Sequence, residues 1–303
     1  MRPKILITDK IHHVAVEEAK SFADVDVLHG LSPEELIKKI PSYDALIVRS
    51  ETKVTRDVIE PSNLKIIGRA GVGLDNIDVE AAKKKGITVV NSPEASTIAV
   101  AELAIGSMIA MMRSIPHAHH SMREGRWERS KFLGGELFGK KLGIIGFGRI
   151  GREVADRANA FGMQVHVYDP MITAEDARES NCAFSELDDL FKKSDIITLH
   201  VPLNKDTKNM INESRLQTMK SSAIIVNIAR GGIIDEKALY TALKEKKLRG
   251  AVLDVYEKEP PESNIFKDLE NVITLPHLGA STNEAQINAG TVVVEKIRNF
   301  FRT

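Results

Sequence analysis

The run Lys141-Leu142-Gly143-Ile144-Ile145-Gly146-Phe147-Gly148-Arg149-Ile150-Gly151 constrains the fold more than any other stretch of this chain. An apolar segment ends at Gly146. Two more glycines follow at the spacing G-x-G-x-x-G, and an amphipathic helical pattern begins at once. A second apolar run, Val165-His166-Val167-Tyr168, ends in Asp169, eighteen residues after Gly151. Strand, tight turn, helix, strand and acid, in that order, are what a dinucleotide requires. Gly146 makes the turn, Gly148 lets the backbone approach a pyrophosphate, and Gly151 lets the helix lie against the strand. The helix start supplies free N–H groups and the positive end of a dipole. Asp169 can accept hydrogen bonds from both adenosine ribose hydroxyls and would repel a 2′-phosphate. Pro170 and Met171 follow it, with no arginine, so NAD is expected rather than NADP.

Short apolar runs alternate with amphipathic segments from end to end. Strands are expected at 4–8, 25–29, 45–49, 65–69 and 87–90, then at 141–146, 164–168, 196–201, 223–228, 250–255 and 272–275. Most are rich in Val, Ile and Leu without alternation, as in strands buried on both faces. Helical patterns lie between many of them. In Ser32-Pro33-Glu34-Glu35-Leu36-Ile37, Ser32 reads as the N-cap, Pro33 as the first helical residue and Glu35 as the capping-box partner. Such alternation implies an α/β chain with parallel sheets covered on both faces. Two series within 303 residues imply two domains of similar architecture, although no repeat is visible.

One segment breaks the rhythm. From Thr97 to about Gly125 the pattern predicts one long helix, or two in tandem around Pro116, carrying Met108, Met111, Met112 and Met122. A methionine stripe on a helix marks core. The length of this one also suggests a crossing between domains or a packing against a second subunit, so a homodimer through 97–135 is expected. A last amphipathic pattern, 282–301, could close the second domain or return to complete the first.

Composition narrows the function classes. Lys+Arg and Asp+Glu are 42 each, so nothing suggests wholesale attraction to nucleic acid or membrane. The single cysteine, Cys182, excludes an internal disulfide and fits a reducing compartment; it reads as a small buried side chain. No charged-then-apolar leader opens the sequence, and the longest apolar stretch, around 98–112, is interrupted by Glu102, Gly106 and Ser107. A cytoplasmic protein is the expectation.

A dinucleotide bound at the carboxyl ends of the second strand series would place its reactive ring near the residues just past those strands. After 223–228 comes Ala229-Arg230-Gly231-Gly232. A guanidinium there, followed by two glycines, can hold a carboxylate through two parallel bonds and polarise a neighbouring carbonyl. After 250–255 comes Tyr256-Glu257-Lys258-Glu259, and after 272–275 comes Pro276-His277-Leu278-Gly279. Oxidising a hydroxyl requires a base for the O–H proton while hydride leaves the carbon. A carboxylate beside an imidazole raises its pKa and fixes its tautomer, so Glu259 and His277 are the candidate pair. The eight other histidines are read as structural. His117, His119 and His120 cluster on a helix without a third-ligand pattern, and no metal is expected.

With these residues in view the chain resembles the D-isomer-specific 2-hydroxyacid dehydrogenases. The resemblance is carried by Val48-Arg49-Ser50-Glu51-Thr52-Lys53-Val54-Thr55, Gly68-Arg69-Ala70-Gly71-Val72-Gly73-Leu74-Asp75-Asn76, Trp127-Glu128-Arg129, the GFGRIG turn, Asn227-Ile228-Ala229-Arg230-Gly231-Gly232, and Pro276-His277-Leu278-Gly279-Ala280-Ser281-Thr282. It covers essentially the whole chain. It implies two doubly wound parallel-sheet domains: a Rossmann-like NAD-binding one, 96–281, inserted into a flavodoxin-like substrate-side one, 1–95 plus 282–303, with hinges near Pro93 and Ala280. It implies Arg230 as substrate clamp, Glu259 as histidine partner and His277 as acid/base. Arg149 and Ile150 would present backbone to the pyrophosphate, Asp169 would hold the ribose, and Pro202, Thr207, Ala229, Asp254 and Gly279 would surround the cofactor.

The resemblance is strongest to members that oxidise 3-phospho-D-glycerate to 3-phosphohydroxypyruvate on the way to serine. A phosphorylated substrate needs a second cationic site beside the carboxylate clamp. Arg49, Lys53 and Arg69, with Gly71, are the candidates, and the run 125–131 could add charge from a partner subunit. Two rivals stand beside this reading: a glyoxylate/hydroxypyruvate reductase on the same fold, and an NAD-sensing co-repressor that binds protein partners. The chain departs from the family in having Ser96 where relatives often carry asparagine. It ends at Thr303, so the C-terminal serine-binding domain of many relatives is not expected.

Overall fold

The computed structural model describes residues 2–302, and these divide into two compact units. One comprises the residues up to Ala99 together with those from Ala280 onward, and the other is Val100–Gly279.

The first unit holds β1 (Lys4–Ile7), β2 (Asp24–Val27), β3 (Ala45–Val48), β4 (Ile66–Arg69) and β5 (Thr88–Asn91). They form one parallel sheet in the order β2-β1-β3-β4-β5, the flavodoxin-like order. Successive residues of β1 and β3 feed opposite cores, which is why neither run alternates in polarity. Leu6 and Leu46 pack with Leu36, Val58 and Ile59 on one face. Ile5, Ile7 and Ile47 pack with Ala15, Ala19, Val293, Val294 and Ile297 on the other. The last helix, Asn283–Arg302, therefore returns to complete the first sheet. Its amphipathic stripe permitted either destination, and the apolar face left open by β1, β3 and β4 decided between them. The helix Pro33–Lys39 starts as its capping box requires: Ser32 Oγ accepts from Glu35 N at 3.2 Å and Glu35 Oε2 from Ser32 N at 2.8 Å, worth about 1 kcal/mol to the helix.

The second unit holds β6 (Lys141–Ile145), β7 (Gln164–Tyr168), β8 (Ala183–Phe184), β9 (Ile196–Leu199), β10 (Ile224–Asn227), β11 (Gly250–Leu253) and β12 (Val272–Thr274). The sheet is parallel throughout, in the order β12-β11-β10-β9-β6-β7-β8, a Rossmann order with one further strand. The order reverses between β6 and β9, whose neighbouring ends carry the GFGRIG turn and His200-Val201-Pro202.

Strand boundaries fall within two residues of their sequence pattern, and one strand was not expected. The two-residue β8 escapes sequence analysis because periodicity cannot show in so short a run. Conversely, β10 and β11 stop at Asn227 and Leu253, short of the apolar residues Ile228 and Val255. Both of these are nonetheless buried. Apolarity reports burial, whereas the ladder ends where the chain turns into the loops that carry Arg230 and Glu259.

The 97–125 segment is two helices, Thr97–Met112 and Ile115–Arg123, bent by 62° at Arg113-Ser114. Ser114 takes a left-handed conformation, φ 50°, and Pro116 lies in the first turn of the second helix. Met108, Met111 and Met112 are core, while Met122 is exposed. Among the described residues no single helix is long and apolar enough to cross a membrane.

Candidate active site

The turn after β6 is shaped by three glycines that do different things. Gly146 has φ 95°, and a Cβ there would lie 2.5 Å from the carbonyl oxygen of His200, across the reversal of strand order. A Cβ on Gly151 would overlap the Gly146 carbonyl, so only glycine lets the helix Arg149–Ala160 start this close to the strand. Gly148 differs. It is the helix N-cap with φ −77°, it is exposed, and an added Cβ would meet no protein atom within 4 Å. Nothing in the fold requires glycine there, and no side chain caps the helix. The bare N-terminus leaves backbone N–H groups with room for a ligand's anionic oxygens. This fits the pyrophosphate of a dinucleotide, with Arg149 and Ile150 as the first helical residues.

Asp169, at the end of β7, closes on the same turn. Its Oδ2 accepts from Phe147 N at 2.8 Å and its Oδ1 from Met171 N at 2.9 Å. A carboxylate oxygen retains lone pairs after one such bond, so the ribose hydroxyls can still be received. After β9, Pro202 and Thr207 are bound to each other: Thr207 Oγ1 donates to Pro202 O at 2.6 Å. His200, which the sequence marked only as structural, is held neutral by burial, its pKa pushed down to about 3, with Nε2 3.0 Å from Thr198 Oγ1.

The acid-base residues come together through β10, β11 and β12. His277 Nδ1 lies 2.5 Å from Glu259 Oε2, and Glu259 Oε1 accepts from Tyr256 N at 3.0 Å. His277 itself sits at φ 55°, an uncommon conformation for a residue with a Cβ. Asp254 explains it. Its fully buried carboxylate accepts from Leu278 N at 2.7 Å and Gly279 N at 2.8 Å, while its carbonyl accepts from His277 N at 3.0 Å. The backbone is thus wound around Asp254, and the strain at His277 is held by these bonds. Burial raises the Asp254 pKa against the lowering effect of the two N–H bonds. Asp254 thus shapes the histidine loop.

Arg230 joins the pair from the β10 end. Asn227 Nδ2 donates to Arg230 O at 2.9 Å and Asn227 Oδ1 accepts from Ala229 N at 3.1 Å, closing the turn. A Cβ on Gly231 would overlap the carbonyl of Tyr256, so the Arg230 turn is pressed onto the loop that carries Glu259. The electrostatics agree. The hydrogen bond to Glu259 is the largest influence on His277 and raises its pKa; burial and the Arg230 charge oppose it. Burial pushes Glu259 up, but the bond to His277, the Tyr256 N–H and the Arg230 charge together hold it below the usual carboxylate range. An imidazole so placed has one nitrogen fixed by a carboxylate and the other available to a substrate hydroxyl.

Residues 105–279 match the family model described as "D-isomer specific 2-hydroxyacid dehydrogenase, NAD binding domain". This chain belongs to that family. D-3-phosphoglycerate dehydrogenase of Methanocaldococcus jannaschii is 54% identical over 99% of the chain, which spans only 57% of that protein's length. Hydroxypyruvate reductase of Thermotoga maritima is 49% identical over 98% of the chain and 97% of its own length. D-lactate dehydrogenase of Aquifex aeolicus, solved with NAD and lactic acid, superposes with a TM-score of 0.87 at 30% identity, covering 98% of this chain and 95% of that one. The matched model is that of an NAD-binding domain, so the cofactor for which 105–279 is built is NAD.

The cationic candidates lie in the first unit. Arg49 follows β3 and is half-buried, Lys53 is exposed, and Arg69 ends β4. The Arg69 guanidinium lies over Gly71, where any Cβ would overlap it, and Gly71 N donates to the buried Ser92 Oγ at 2.8 Å. Ser96 is buried as well. The 125–131 run offers less charge than its sequence suggested: Arg126 pairs with Glu124 and Glu128, and Lys131 pairs with Glu128. No group of three or more His, Cys, Asp or Glu among the described residues could hold a metal ion. Cys182 is buried, and burial pushes its thiol up to about 11, far from a reactive range.

Proposed function

We propose that this protein is an NAD-dependent dehydrogenase that oxidises 3-phospho-D-glycerate to 3-phosphohydroxypyruvate. The observation that carries the reading is the 2.5 Å contact between His277 and Glu259 with the Arg230 charge beside it. The identity of 54% to a D-3-phosphoglycerate dehydrogenase supports the substrate. Bound at the GFGRIG turn and Asp169, NAD supplies the acceptor for the hydride that leaves the substrate carbon. Glu259 keeps the proton on His277 Nδ1, so Nε2 is the lone pair that takes the hydroxyl proton. The cationic imidazole that results is stabilised by the same carboxylate. Arg230 binds the substrate carboxylate through its planar fork and steadies the oxygen as it becomes a carbonyl. Asp254 keeps Leu278 and Gly279 in place behind His277, and Pro202, Thr207, Ala229 and Gly279 complete the cofactor surroundings.

We assign NAD binding to 96–281 and substrate recognition to 1–95 plus 282–303, with Arg49, Lys53, Arg69 and Gly71 receiving the phosphate. Hydroxypyruvate reduction is the second reading, favoured by the 49% identity to a hydroxypyruvate reductase. The test is NADH formation at alkaline pH. Turnover of phosphoglycerate supports the proposal. Its absence, with turnover of hydroxypyruvate or glyoxylate, keeps the chemistry and rejects the substrate.

A homodimer through 97–135 fits the apolar side chains presented there. Trp127 is 78% and Leu133 91% exposed, with Met122 exposed beside them, a patch of the kind that marks an association surface. A cytoplasmic setting fits a chain whose one thiol is buried and unreactive.

A further inference from the structure

We propose that Asp9 and Asn76 are positioning residues for phosphate recognition: together they lock the backbone of Arg49–Lys53, so that the two cations meet a phosphate ester from a fixed loop. The inference rests on the reading that Arg49 and Lys53 receive the phosphate.

Asp9 lies just past β1, and β1 and β3 are the neighbours between which the five-stranded order reverses. Open α/β sheets bind ligands outside the carboxyl ends of their strands at such a reversal. The Asp9 carboxylate is almost wholly buried, at 2% exposure. It accepts from Arg49 N at 2.6 Å, Glu51 N at 3.1 Å and Thr52 N at 3.1 Å, and also from the Thr52 hydroxyl. That hydroxyl reaches Thr8 Oγ1 at 2.9 Å. A buried carboxylate is unfavourable unless several donors converge on it, and here the donors are the backbone of a single loop.

Asn76 holds the same loop by its carbonyls. Its Nδ2 donates to Arg49 O at 3.0 Å and to Thr52 O at 2.7 Å. Its own carbonyl accepts from Val54 N at 2.8 Å, just past Lys53. The N–H and the C=O of Arg49 are therefore both tied to side chains from elsewhere in the first unit. Asp9 acts on the N–H groups of the loop and Asn76 on its carbonyls. Such double anchoring removes the freedom that a loop bearing two cations would otherwise lose on binding its ligand.

The test compares wild type, Asp9→Asn, Asn76→Ala and Arg49→Ala, all as full chains with NAD, on 3-phosphoglycerate and on unphosphorylated D-glycerate. Asp9→Asn keeps the volume but turns an NH2 or a weaker acceptor toward the loop N–H groups. For phosphoglycerate, kcat/KM should fall about 10- to 100-fold, nearly all in KM, as expected when a binding group is displaced by about 1 Å. For D-glycerate it should stay within about threefold, and the NAD dissociation constant within about twofold, because the role inferred for this loop is confined to the phosphate. Asn76→Ala should act in the same direction, and it carries the test if Asp9→Asn does not fold. An equal fall on both substrates, or no rise in KM for phosphoglycerate while Arg49→Ala raises it, overturns the inference alone. Wild type failing to oxidise phosphoglycerate, or Arg49→Ala leaving its KM unchanged, overturns the phosphate reading and this inference with it.

Discussion

Replacing Gly148 by alanine separates binding from folding in this protein. The residue has φ −77° and ψ −156°, which any residue adopts, and an added Cβ meets no protein atom within 4 Å. Stiffening the unfolded chain favours the variant by about 0.4–1 kcal/mol, while alanine is a poorer N-cap than glycine by a similar amount. The two offset, so stability should change by no more than about 0.5 kcal/mol, or about 2 °C in Tm. The NAD pyrophosphate fares differently. The methyl group stands where it must approach the N–H groups of the helix start. Losing one charge-assisted hydrogen bond there is worth about 1.5–3 kcal/mol, or about 10- to 150-fold in Kd. Gly151→Ala is the comparator, because its Cβ overlaps the Gly146 carbonyl. Overpacking of about 1–3 kcal/mol, partly relieved by helix propensity of about 1 kcal/mol, should lower Tm and weaken NAD binding together. Calorimetric titration with NAD and thermal unfolding followed by circular dichroism read both quantities. If Gly148→Ala binds NAD within twofold of wild type, or loses as much stability as Gly151→Ala, the pyrophosphate does not lie at this helix start.

Other perturbations probe the acid-base group and the surface. The His277 pKa is raised above its ordinary 6.5, first by the hydrogen bond to Glu259. Oxidation needs the neutral imidazole, so its rate should climb as pH rises through that raised value, and reduction should fall over the same window. Glu259→Gln removes the largest raising influence, so both limbs should move to lower pH; a profile that stays put would deny His277 its role. The stability that charged His277 contributes runs opposite to the oxidation rate: present in full below the unfolded value, it fades as pH rises through the folded one. His277→Asn should lose most of the turnover and leave NAD binding nearly intact, as titration would show. Arg230→Lys should raise KM for every 2-hydroxy acid tried, since a single ammonium cannot reproduce the paired bonds of the guanidinium. Trp127→Asp should shift the protein toward monomer by light scattering if the exposed patch joins two copies; an unchanged mass would remove Trp127 from any contact.

Much of the candidate site was legible because strand ends are legible. Arg230, Glu259 and His277 each stand in the loop just past β10, β11 or β12, and the turn glycines declare themselves by spacing. Asp9 carries the same signal in the first strand series, directly past β1, where sequence reasoning missed it. What no pattern could show was Asp254 bonding to Leu278 N and Gly279 N, or Asn76 clasping Arg49 and Thr52. These bonds join segments 24 to 27 residues apart, and their donors and acceptors are side chains common in any loop.

By itself the sequence determined every strand but the two-residue β8, that two parallel sheets would form, and that one would receive NAD. Each of these comes from local pattern, because hydrophobic period, turn glycines and caps act within a few residues. Tertiary structure decided what local pattern left open: that the final helix returns to the first sheet, that His277 is wound to φ 55° around a buried carboxylate, and that the Arg49 loop is held at both its N–H and C=O groups. Those choices turn on which buried polar group finds which partner, and on which apolar face is left uncovered, and both are settled only when distant parts of the chain meet.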